Sequence, residues 1–393
     1  MANTLLTPSQ ITNQALAVLH QKCNFIGSIN RAYDSSFSVE GAKIGSDLRI
    51  RLPNRYVVTS GPALATAGLD TNETQVTLSV TSQKHVDMKF TSTDLTMAIQ
   101  DFSARFIEPA MAALAANIEA DAFSMALDVY SQVNGQGAPQ TFKNILQARK
   151  LLIDSLAPAG DWAVRMNTQD NVDLVDTLKG LFQSSQNIAA QYRDGVLGQT
   201  AGFEFAENTL INSFTRGAEA GYAINGAGQT GTSIVVGTGT GAGNRGDVFT
   251  IAGVFRVHPE TKASTGVLHQ FVLSADYGGG AGTMQISPAI VTAGPYQNVT
   301  AAPANSALLV FAGAAGVASG MSLAYCKDAF TFATADLILP QGVDMAARKT
   351  MDGISMRLLR QYDINSDAMP TRLDVLYGYK TLRPQLAARL AAN

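Results

Sequence analysis

The 393-residue chain has few charged residues. Asp, Glu, Lys and Arg make up 15% of it, against roughly 25% in an average soluble domain. The formal net charge of −3 comes without any block of Lys or Arg, which argues against a protein that grips nucleic acid through its phosphates. A surface of small and uncharged polar groups suits extensive contact with other subunits. We therefore expect any nucleic acid nearby to be enclosed rather than bound.

Cysteine is scarce too. The two cysteines, Cys23 and Cys326, stand far apart and outside any C-x-x-C spacing. This usage favours two free thiols in a reducing compartment over a disulfide or a metal site. The first ten residues show no basic region ahead of an apolar stretch, so no secretory signal is predicted. We expect the chain to stay in the cytosol.

No long hydrophobic run is visible. The nearest candidate is the uncharged stretch from Ser306 to Tyr325, in which only Leu308 to Phe311 is strongly hydrophobic. Ala, Gly and Ser contribute little to membrane insertion. We predict a buried strand followed by a glycine-rich turn, and no membrane partner.

The usual catalytic signatures are missing as well. No G-x-S-x-G elbow, H-E-x-x-H pair or Walker loop occurs. His269 alternates with apolar residues of a predicted strand, a pattern typical of a hydrogen-bonded core or interface histidine. We predict no catalytic residue and no cofactor.

One segment imitates a calcium loop. Asp363-Ile-Asn365-Ser-Asp367 is followed by Asp374 at the twelfth position, but Ala368 stands where the loop requires Gly, and the flanks have the pattern of strands. We interpret the segment as a polar hairpin turn and predict no metal site.

The glycine-rich run from Gly237 contains Gly241-Ala-Gly243-Asn-Arg-Gly246, a literal G-x-G-x-x-G. A dinucleotide fingerprint needs a helix to begin there and point its positive end at the phosphates. The residues from Asp247 to Val257 have the pattern of a strand instead. Turns between strands are therefore favoured, and a nucleotide-binding enzyme that uses the loop near Gly241 is kept as an alternative.

Two alternating runs predict a long hairpin. Asp47-Leu-Arg-Ile-Arg-Leu-Pro53 alternates strictly, as does Thr74-Gln-Val-Thr-Leu-Ser-Val-Thr81, and the linker between them is rich in Gly, Pro and Ala. An isolated hairpin is marginal in water. We therefore expect this arm to lie on a neighbouring copy of the same chain.

Helical patterns surround the hairpin. A short amphipathic helix is predicted from Thr7 to Lys22. From Asp101 to Val133, apolar residues recur at spacings of three and four. Pro109 belongs near the first turn of this pattern, so we predict a spine helix of about 25 residues. Further helical patterns cover Thr141 to Ser155 and Asn167 to Phe182.

The composition changes near Gly202, after which charges are sparse and Gly and Thr are abundant. Regular short strands with glycine turns predict a small antiparallel barrel or sandwich inserted into a larger fold. The predicted strands are Ser233 to Val236, Asp247 to Val257, Val267 to Ala275, Thr283 to Ile290 and Ala307 to Phe311.

Six colinear segments carry a resemblance to a known family. They are Ile29-Asn-Arg-Ala-Tyr-Asp34, RLPNRYVV at Arg51 to Val58, DFSARFIEPAMAALAANIEAD at Asp101 to Asp121, YRDGVLGQTAGFEFAEN at Tyr192 to Asn208, GDVFTIAGVFRVHPETK at Gly246 to Lys262, and RLDVLYGYKTLRPQLAARL at Arg372 to Leu390. With this order of parts, the chain resembles the major capsid proteins of tailed phages, which share the Hong Kong 97-type fold. It is most similar to the phage P22 coat protein family.

The resemblance implies an α+β phage capsid fold with an inserted antiparallel barrel-like domain. The implied parts are an N-terminal arm at residues 1–45, an extended hairpin or E-loop at 46–90, the spine helix, P-domain and first part of the A-domain at 91–202, the inserted β domain at 203–320, and a return to the A- and P-domains at 321–393.

The resemblance also implies a function. Many copies, as hexamers and pentamers, would assemble with a scaffolding protein into an icosahedral procapsid in the host bacterial cytoplasm. Separate machinery that includes a portal would then fill the shell with double-stranded DNA, and the shell would expand into the virion capsid. A decoration protein is a further partner that the family allows. A nanocompartment shell, which shares the fold but encloses a cargo enzyme, stays open as an alternative.

The residues themselves suggest how copies would touch. Flexible arms laid over neighbours tolerate the slightly different angles of a closed shell. Arg49, Arg51 and Arg55 on the hairpin are candidates to pair with acidic residues of an adjacent subunit's spine helix. The candidate acids are Glu119, Asp121 and Asp128. Solvated charge on an exposed strand is the competing interpretation for each arginine.

Overall fold

The structure, a computed structural model, describes residues 23–33, 47–58, 61–62, 73–91, 108–178, 198–211, 213–351 and 354–392. The predicted N-terminal helix, most of the hairpin tip and residues 101–107 of the helical pattern lie outside the described residues. The chain divides into two compact units. The first comprises Met1–Ile50, Val76–Phe123 and Phe330–Leu382, and the second comprises Arg51–Gln75, Ser124–Ala329 and Arg383–Asn393.

The described secondary structure is mostly strand. In chain order the strands are β1 (Asp47–Arg51), β2 (Gln75–Ser79), β3 (Ser82–Thr91), β4 (Gln132–Asn134), β5 (Trp162–Met166), β6 (Gln199–Thr200), β7 (Phe203–Glu207), β8 (Phe214–Thr215), β9 (Ala220–Ile224), β10 (Gly231–Thr240), β11 (Val248–Val257), β12 (Ser264–Leu273), β13 (Gly282–Ile290), β14 (Leu309–Phe311), β15 (Ala318–Cys326), β16 (Phe330–Ala335), β17 (Met345–Met351), β18 (Ile354–Arg360), β19 (Ala368–Thr381) and β20 (Ala387–Ala392). The α-helices are α1 (Glu108–Phe123), α2 (Phe142–Asp154) and α3 (Thr168–Leu178).

The first unit is built on a five-stranded antiparallel sheet. Its strands follow the order β16-β19-β18-β17, and β3 also pairs with β19. The long strand β19 alternates, so Leu373, Val375 and Tyr377 are buried. Beside this sheet, β1 and β2 pair with each other. Their inward residues Ile50 and Leu78 join an apolar cluster with Val80, Ala333, Ala335 and Leu382, which confirms the two predicted strands.

The second unit contains a mixed seven-stranded sheet and a barrel. The sheet follows the order β4-β20-β15-β5-β7-β6, with β8 on β15, and its parallel pairs are β4 with β20 and β5 with β7. Helix α2 begins where it was predicted, because the Thr141 side chain accepts a hydrogen bond from the backbone N–H of Asn144. Its buried face consists of Ile145, Ala148 and Leu152.

The barrel comprises six antiparallel strands in the order β14-β11-β12-β13-β10-β9. Backbone hydrogen bonds from Ile224 N–H to Ala307 O (2.9 Å) and from Ser306 N–H to Ile224 O (2.8 Å) close β9 onto the chain leading into β14. Aromatic, aliphatic and Met side chains fill the interior, among them Tyr222, Phe249 and Phe271. The predicted barrel-like region is therefore present, and its strands run from Ala220 to Phe311.

The predicted spine helix is wrong at its C-terminal end. Helix α1 ends at Phe123, a 3-10 helix covers Ser124–Asp128, and Val133 lies in β4, where it pairs with Leu390. Val129 and Val133 continue the apolar spacing although neither lies in α1, because both are buried elsewhere in the fold. The sixteen residues of α1 span about 24 Å, less than the 35 to 40 Å that about 25 helical residues would span.

One described helical stretch, Pro109–Asp128, is long and apolar enough to cross a membrane by length and composition alone. Half of the residues in the apolar part of this stretch are buried in the structure. Core helices of soluble proteins can have the same length and hydropathy. The stretch from Ser306 to Tyr325 forms β14, a turn and most of β15. The predicted strand and turn are present, but the prediction that the strand is buried is wrong, because Leu308 and Val310 are exposed.

Candidate subunit-contact site

The two faces of β1 separate its apolar and charged side chains. Ile50 points into the apolar cluster, so the period of two places Arg49 and Arg51 on the other, exposed face. The Nη1 atom of Arg51 lies 3.5 Å from Oε2 of Glu73 across the hairpin, and both side chains are largely exposed. An exposed pair of this kind contributes about 0–1 kcal/mol. Arg51 therefore has a weak partner within its own hairpin.

Arg55 has a different environment from the other two arginines. It follows β1 outside the regular strands, is half-buried, and lines a small cavity together with Tyr130 and Arg256. The three predicted contact arginines are therefore not equivalent. Arg49 and Arg51 face outward, and Arg55 faces a cavity.

The three predicted acidic partners all have contacts in their own chain. Oε1 of the fully buried Glu119 accepts a hydrogen bond from the Phe25 N–H at 2.8 Å. Asp121 lies 2.7 Å from Nζ of Lys84 and also accepts from the Tyr377 hydroxyl. Asp128 lies 2.6 Å from Nη2 of Arg245. Their pairing with a neighbouring subunit's arginines stays a prediction.

The hairpin exposes three consecutive large side chains beyond β1. The exposed fractions are 70% for Tyr56, 49% for Val57 and 92% for Val58. Contiguous exposed apolar surface of this kind marks a site that another chain covers. We call Tyr56–Val58 the apolar tip segment.

The glycine-rich loop near Gly241 is a turn that leads into a strand. Gly241 and Gly246 have φ of +86° and +101°, and a Cβ on Gly241 would lie 2.0 Å from the carbonyl oxygen of Ala218. Strand β11 begins at Val248 directly afterwards. The predicted turn and strand are confirmed, and the loop lacks the helix N-terminus that a pyrophosphate cradle requires.

A buried polar cluster lies where the chain enters the barrel. The Asp247 carboxylate accepts hydrogen bonds from the backbone N–H groups of Asn244 (2.6 Å) and Gly217 (3.1 Å). Glu219 is buried beside it. Burial, together with the hydrogen bond and negative charge of Asp247, raises the pKa of Glu219 to about 8. At neutral pH, burial and the negative charge of Asp247 therefore favour the protonated form of Glu219.

Arginines connect this cluster with the seven-stranded sheet. The fully buried Arg389 of β20 donates from Nη2 to the Gly246 carbonyl at 2.6 Å. Arg216 donates to the carbonyl oxygens of Gly313 (2.6 Å) and Glu219 (2.7 Å). Burial lowers the pKa of Arg389 to about 10, which leaves it protonated at neutral pH. These bonds position the barrel on the sheet.

The segment that imitates a calcium loop is the turn between β18 and β19. Asp363 accepts hydrogen bonds from the Asn365 N–H and the Ser366 hydroxyl. The buried Asp374 is held by Arg357 at 2.6 Å and Arg372 at 3.2 Å. The hairpin-turn interpretation is confirmed. Among residues with described positions, no group of three or more His, Cys, Asp or Glu side chains is arranged to hold a metal ion.

A family model described as "P22 coat protein - gene protein 5" matches residues 41–389. The chain belongs to the P22 coat protein family. The match covers most of the chain, including the hairpin, α1, the barrel and every candidate contact residue. As a coat protein it is a structural shell protein and a virion component, and it acts as one of many copies. None of the curated protein sequences matches the chain.

Solved structures of phage and virus-like particles align with this coat protein over most of their length. The structure from Mycobacterium phage Che8 is 13% identical, with 92% of this chain and 89% of that chain covered and a TM-score of 0.46. The capsid of cyanophage P-SCSP1u is 11% identical, with 91% and 85% covered and a TM-score of 0.45. A virus-like particle from Pyrococcus furiosus is 8% identical, with 97% and 98% covered and a TM-score of 0.43.

Two features of the coat protein were missed at the level of sequence. The apolar tip segment belongs to RLPNRYVV, one of the stretches that carry the family resemblance. The strict alternation of β1 breaks after Pro53, and this break is the sequence feature that could have indicated exposed apolar side chains. The polar cluster had no sequence signal, because Arg216, Glu219, Asp247 and Arg389 are spread over more than 170 residues of the chain.

Proposed function

We propose that this coat protein forms the hexamers and pentamers of an icosahedral shell that encloses the double-stranded DNA of a tailed phage. Assembly takes place in the host bacterial cytoplasm, with a scaffolding protein and a portal as partners. The apolar tip segment is the observation that carries the proposal, since a soluble subunit gains nothing from exposing Tyr56 and Val58 unless another chain covers them.

In this proposal the hairpin lies over a neighbouring subunit. The apolar tip segment supplies the buried contact, and Arg49 and Arg51 at its base face outward toward acidic groups of the neighbour. Each contact is modest, but repetition around the lattice means that release of one subunit breaks several contacts at once. The lattice is therefore stable although its individual contacts are weak.

The low positive charge fits a container. A net charge of −3 without a basic block gives little counterion release with DNA, so packaged DNA stays mobile during filling and ejection. Assembled shells are expected to show little affinity for free DNA at physiological salt, measured by a mobility-shift assay.

Electron microscopy and sedimentation of the chain, expressed with and without its neighbouring genes, test the proposal. We expect closed shells when the assembly partners are present. A Val58→Asp variant is expected to keep the monomer's melting temperature and to lose most shell formation, because it places a charge in the covered contact. Val235→Asp, on the outer face of the barrel strand β10, is the matched control.

Three outcomes would contradict the proposal. One is a monomer that never assembles with any partner, and another is copurification of a cargo enzyme in place of a portal. The third is Val58→Asp shells that form as well as those of the unmodified chain.

A further inference from the structure

Two adjoining cavities lie within the second unit and share Tyr130, Arg256 and His269. The larger has a volume of about 610 Å³ and an apolar wall that includes Leu151 and Val267. The smaller has a volume of about 50 Å³. Its other lining residues are Arg55, Ser155, Val257, Pro259, Gln297, Asn298 and Gln385. We call the pair of cavities the basic groove.

Positive charge in the basic groove is not compensated locally. Nη2 of Arg256 donates to the Ser155 hydroxyl at 3.0 Å. No carboxylate in the described part of the chain forms an ion pair with Arg55 or Arg256. Lys150, which also lines the larger cavity, is paired with Asp154 at 2.6 Å. Two arginine forks are therefore available to an incoming anion.

Lys262 lies close enough to Arg55 to be affected by its charge. Its Nζ donates to the carbonyl oxygens of Pro259 at 2.6 Å and Pro295 at 2.7 Å. Burial and the charge of Arg55 lower the pKa of Lys262. The lysine is engaged with backbone oxygens, so the arginines are the groups that remain to bind a ligand.

His269 provides an independent indication of a ligand. Its side chain is 4% exposed, and within the described residues its Nε2 atom has no hydrogen-bond partner. The centroid of its ring lies 5.6 Å from that of Tyr130 and 4.8 Å from that of Phe271. The residue forms part of the wall of both cavities. Burial, assisted by Arg256, lowers the pKa of His269 to about 3, so the imidazole is neutral. Buried polar atoms are normally paired, and His269 lines both cavities of the groove.

We propose that the basic groove binds a carboxylate side chain presented by an acidic, partly apolar segment of another polypeptide chain. A guanidinium fork matches the planar geometry of a carboxylate, and the smaller cavity has room for one such group. The wall of Leu151 and Val267 suits an adjacent apolar side chain. A nucleic acid would instead need a row of cations along its backbone, and the apolar wall disfavours it.

Fluorescence anisotropy on the purified full-length chain tests the proposal without requiring shell formation. The probe is a short fluorescein-labelled peptide that alternates Glu and Leu, and its control has Gln in place of Glu. We expect the acidic peptide to bind and the Gln peptide to bind at least about tenfold more weakly, as expected for loss of a charge-assisted hydrogen bond.

Protein variants assign the binding to the groove. Arg55→Gln and Arg256→Gln are each expected to weaken the acidic peptide about tenfold, while Arg149→Gln, an exposed arginine of α2 outside the groove, leaves the affinity unchanged. Arg55 lies outside the regular strands, so its variant keeps the test valid if Arg256→Gln fails to fold.

Three results would overturn the assignment. They are equal affinities for the acidic and Gln peptides, unchanged affinity in both groove variants, and tighter binding of a short DNA duplex that the same variants abolish. The last result would assign the groove to nucleic acid.

Discussion

The barrel from Ala220 to Phe311 and the hairpin of β1 and β2 are both built from alternating strands, but they cover their apolar side chains differently. The barrel closes on itself and encloses fourteen buried apolar residues. The hairpin buries Ile50 and Leu78 at its base and leaves the apolar tip segment in solvent. The barrel is therefore completed within one chain, whereas the apolar tip segment is not covered by described residues of its own chain.

This difference assigns separate tasks to the two regions. The interior of the barrel contributes to the stability of the subunit before any assembly, at roughly 1.5–3 kcal/mol for each large apolar side chain fully buried. The hairpin contributes little to the isolated subunit. Under the proposed function, its apolar area contributes to stability when copies of the chain meet.

The largest expected effect comes from truncating the barrel core. Phe249→Ala removes a fully buried ring that lies 5.9 Å from Phe271 and 5.2 Å from Phe311. We expect the barrel to lose about 3–5 kcal/mol. Hydrogen exchange of the β11 amides measures this loss as faster local opening.

The matched control for this truncation is Val235→Ala, on the outer face of β10. It is expected to change barrel stability by less than about 1 kcal/mol. Equal exchange rates in the two variants would mean that the barrel interior does not stabilise the subunit, and the comparison would fail.

A smaller effect is expected at the polar entry of the barrel. Glu219 keeps its proton in the folded chain up to about pH 8 and loses it near pH 4.3 when unfolded. Its contribution to stability is therefore complete below about pH 4.3 and is lost as the pH rises to about 8. The Glu219→Gln variant carries an uncharged side chain at every pH, so it does not lose this stability as the pH rises.

Calorimetry near pH 5 and pH 9 measures the difference. We expect Glu219→Gln to be more stable than the unmodified chain by on the order of 2–4 kcal/mol at the higher pH, and nearly equal at the lower. Parallel pH profiles for the two proteins would contradict the protonated state of Glu219.

The smallest effect belongs to the hairpin. Arg51→Gln breaks the exposed pair with Glu73, and a double-mutant cycle with Glu73→Gln is expected to give a coupling energy below about 1 kcal/mol in the unassembled chain. Urea unfolding measures it. A coupling of several kcal/mol would show that the isolated hairpin is already held firmly and does not differ from the barrel in this respect.

Features with short-range causes were predictable from the sequence. Helix α2 was predicted from its local helical pattern, and β1 from strict alternation. The strand after Gly246 excluded a helix at the glycine loop. In each case neighbouring residues determine the local conformation.

Features that depend on tertiary contacts were not predictable. The end of α1 was misplaced because Val133 is buried by pairing with Leu390, far along the chain. Glu119 was expected to be a contact for a neighbour, and its burial against the Phe25 N–H depends on a fold that brings these segments together. The basic groove likewise depends on Arg55 and Arg256 meeting across some 200 residues.

The closure of β9 onto the residues before β14 has a consequence for crowded conditions. A sheet that ends in an open strand offers its unpaired amides and carbonyls to any similar strand nearby. In a lattice of identical chains the local concentration of such strands is very high. Because Ile224 exchanges hydrogen bonds with Ala307 and Ser306 at this seam, the barrel can be held close to its own copies without being drawn into runaway strand addition.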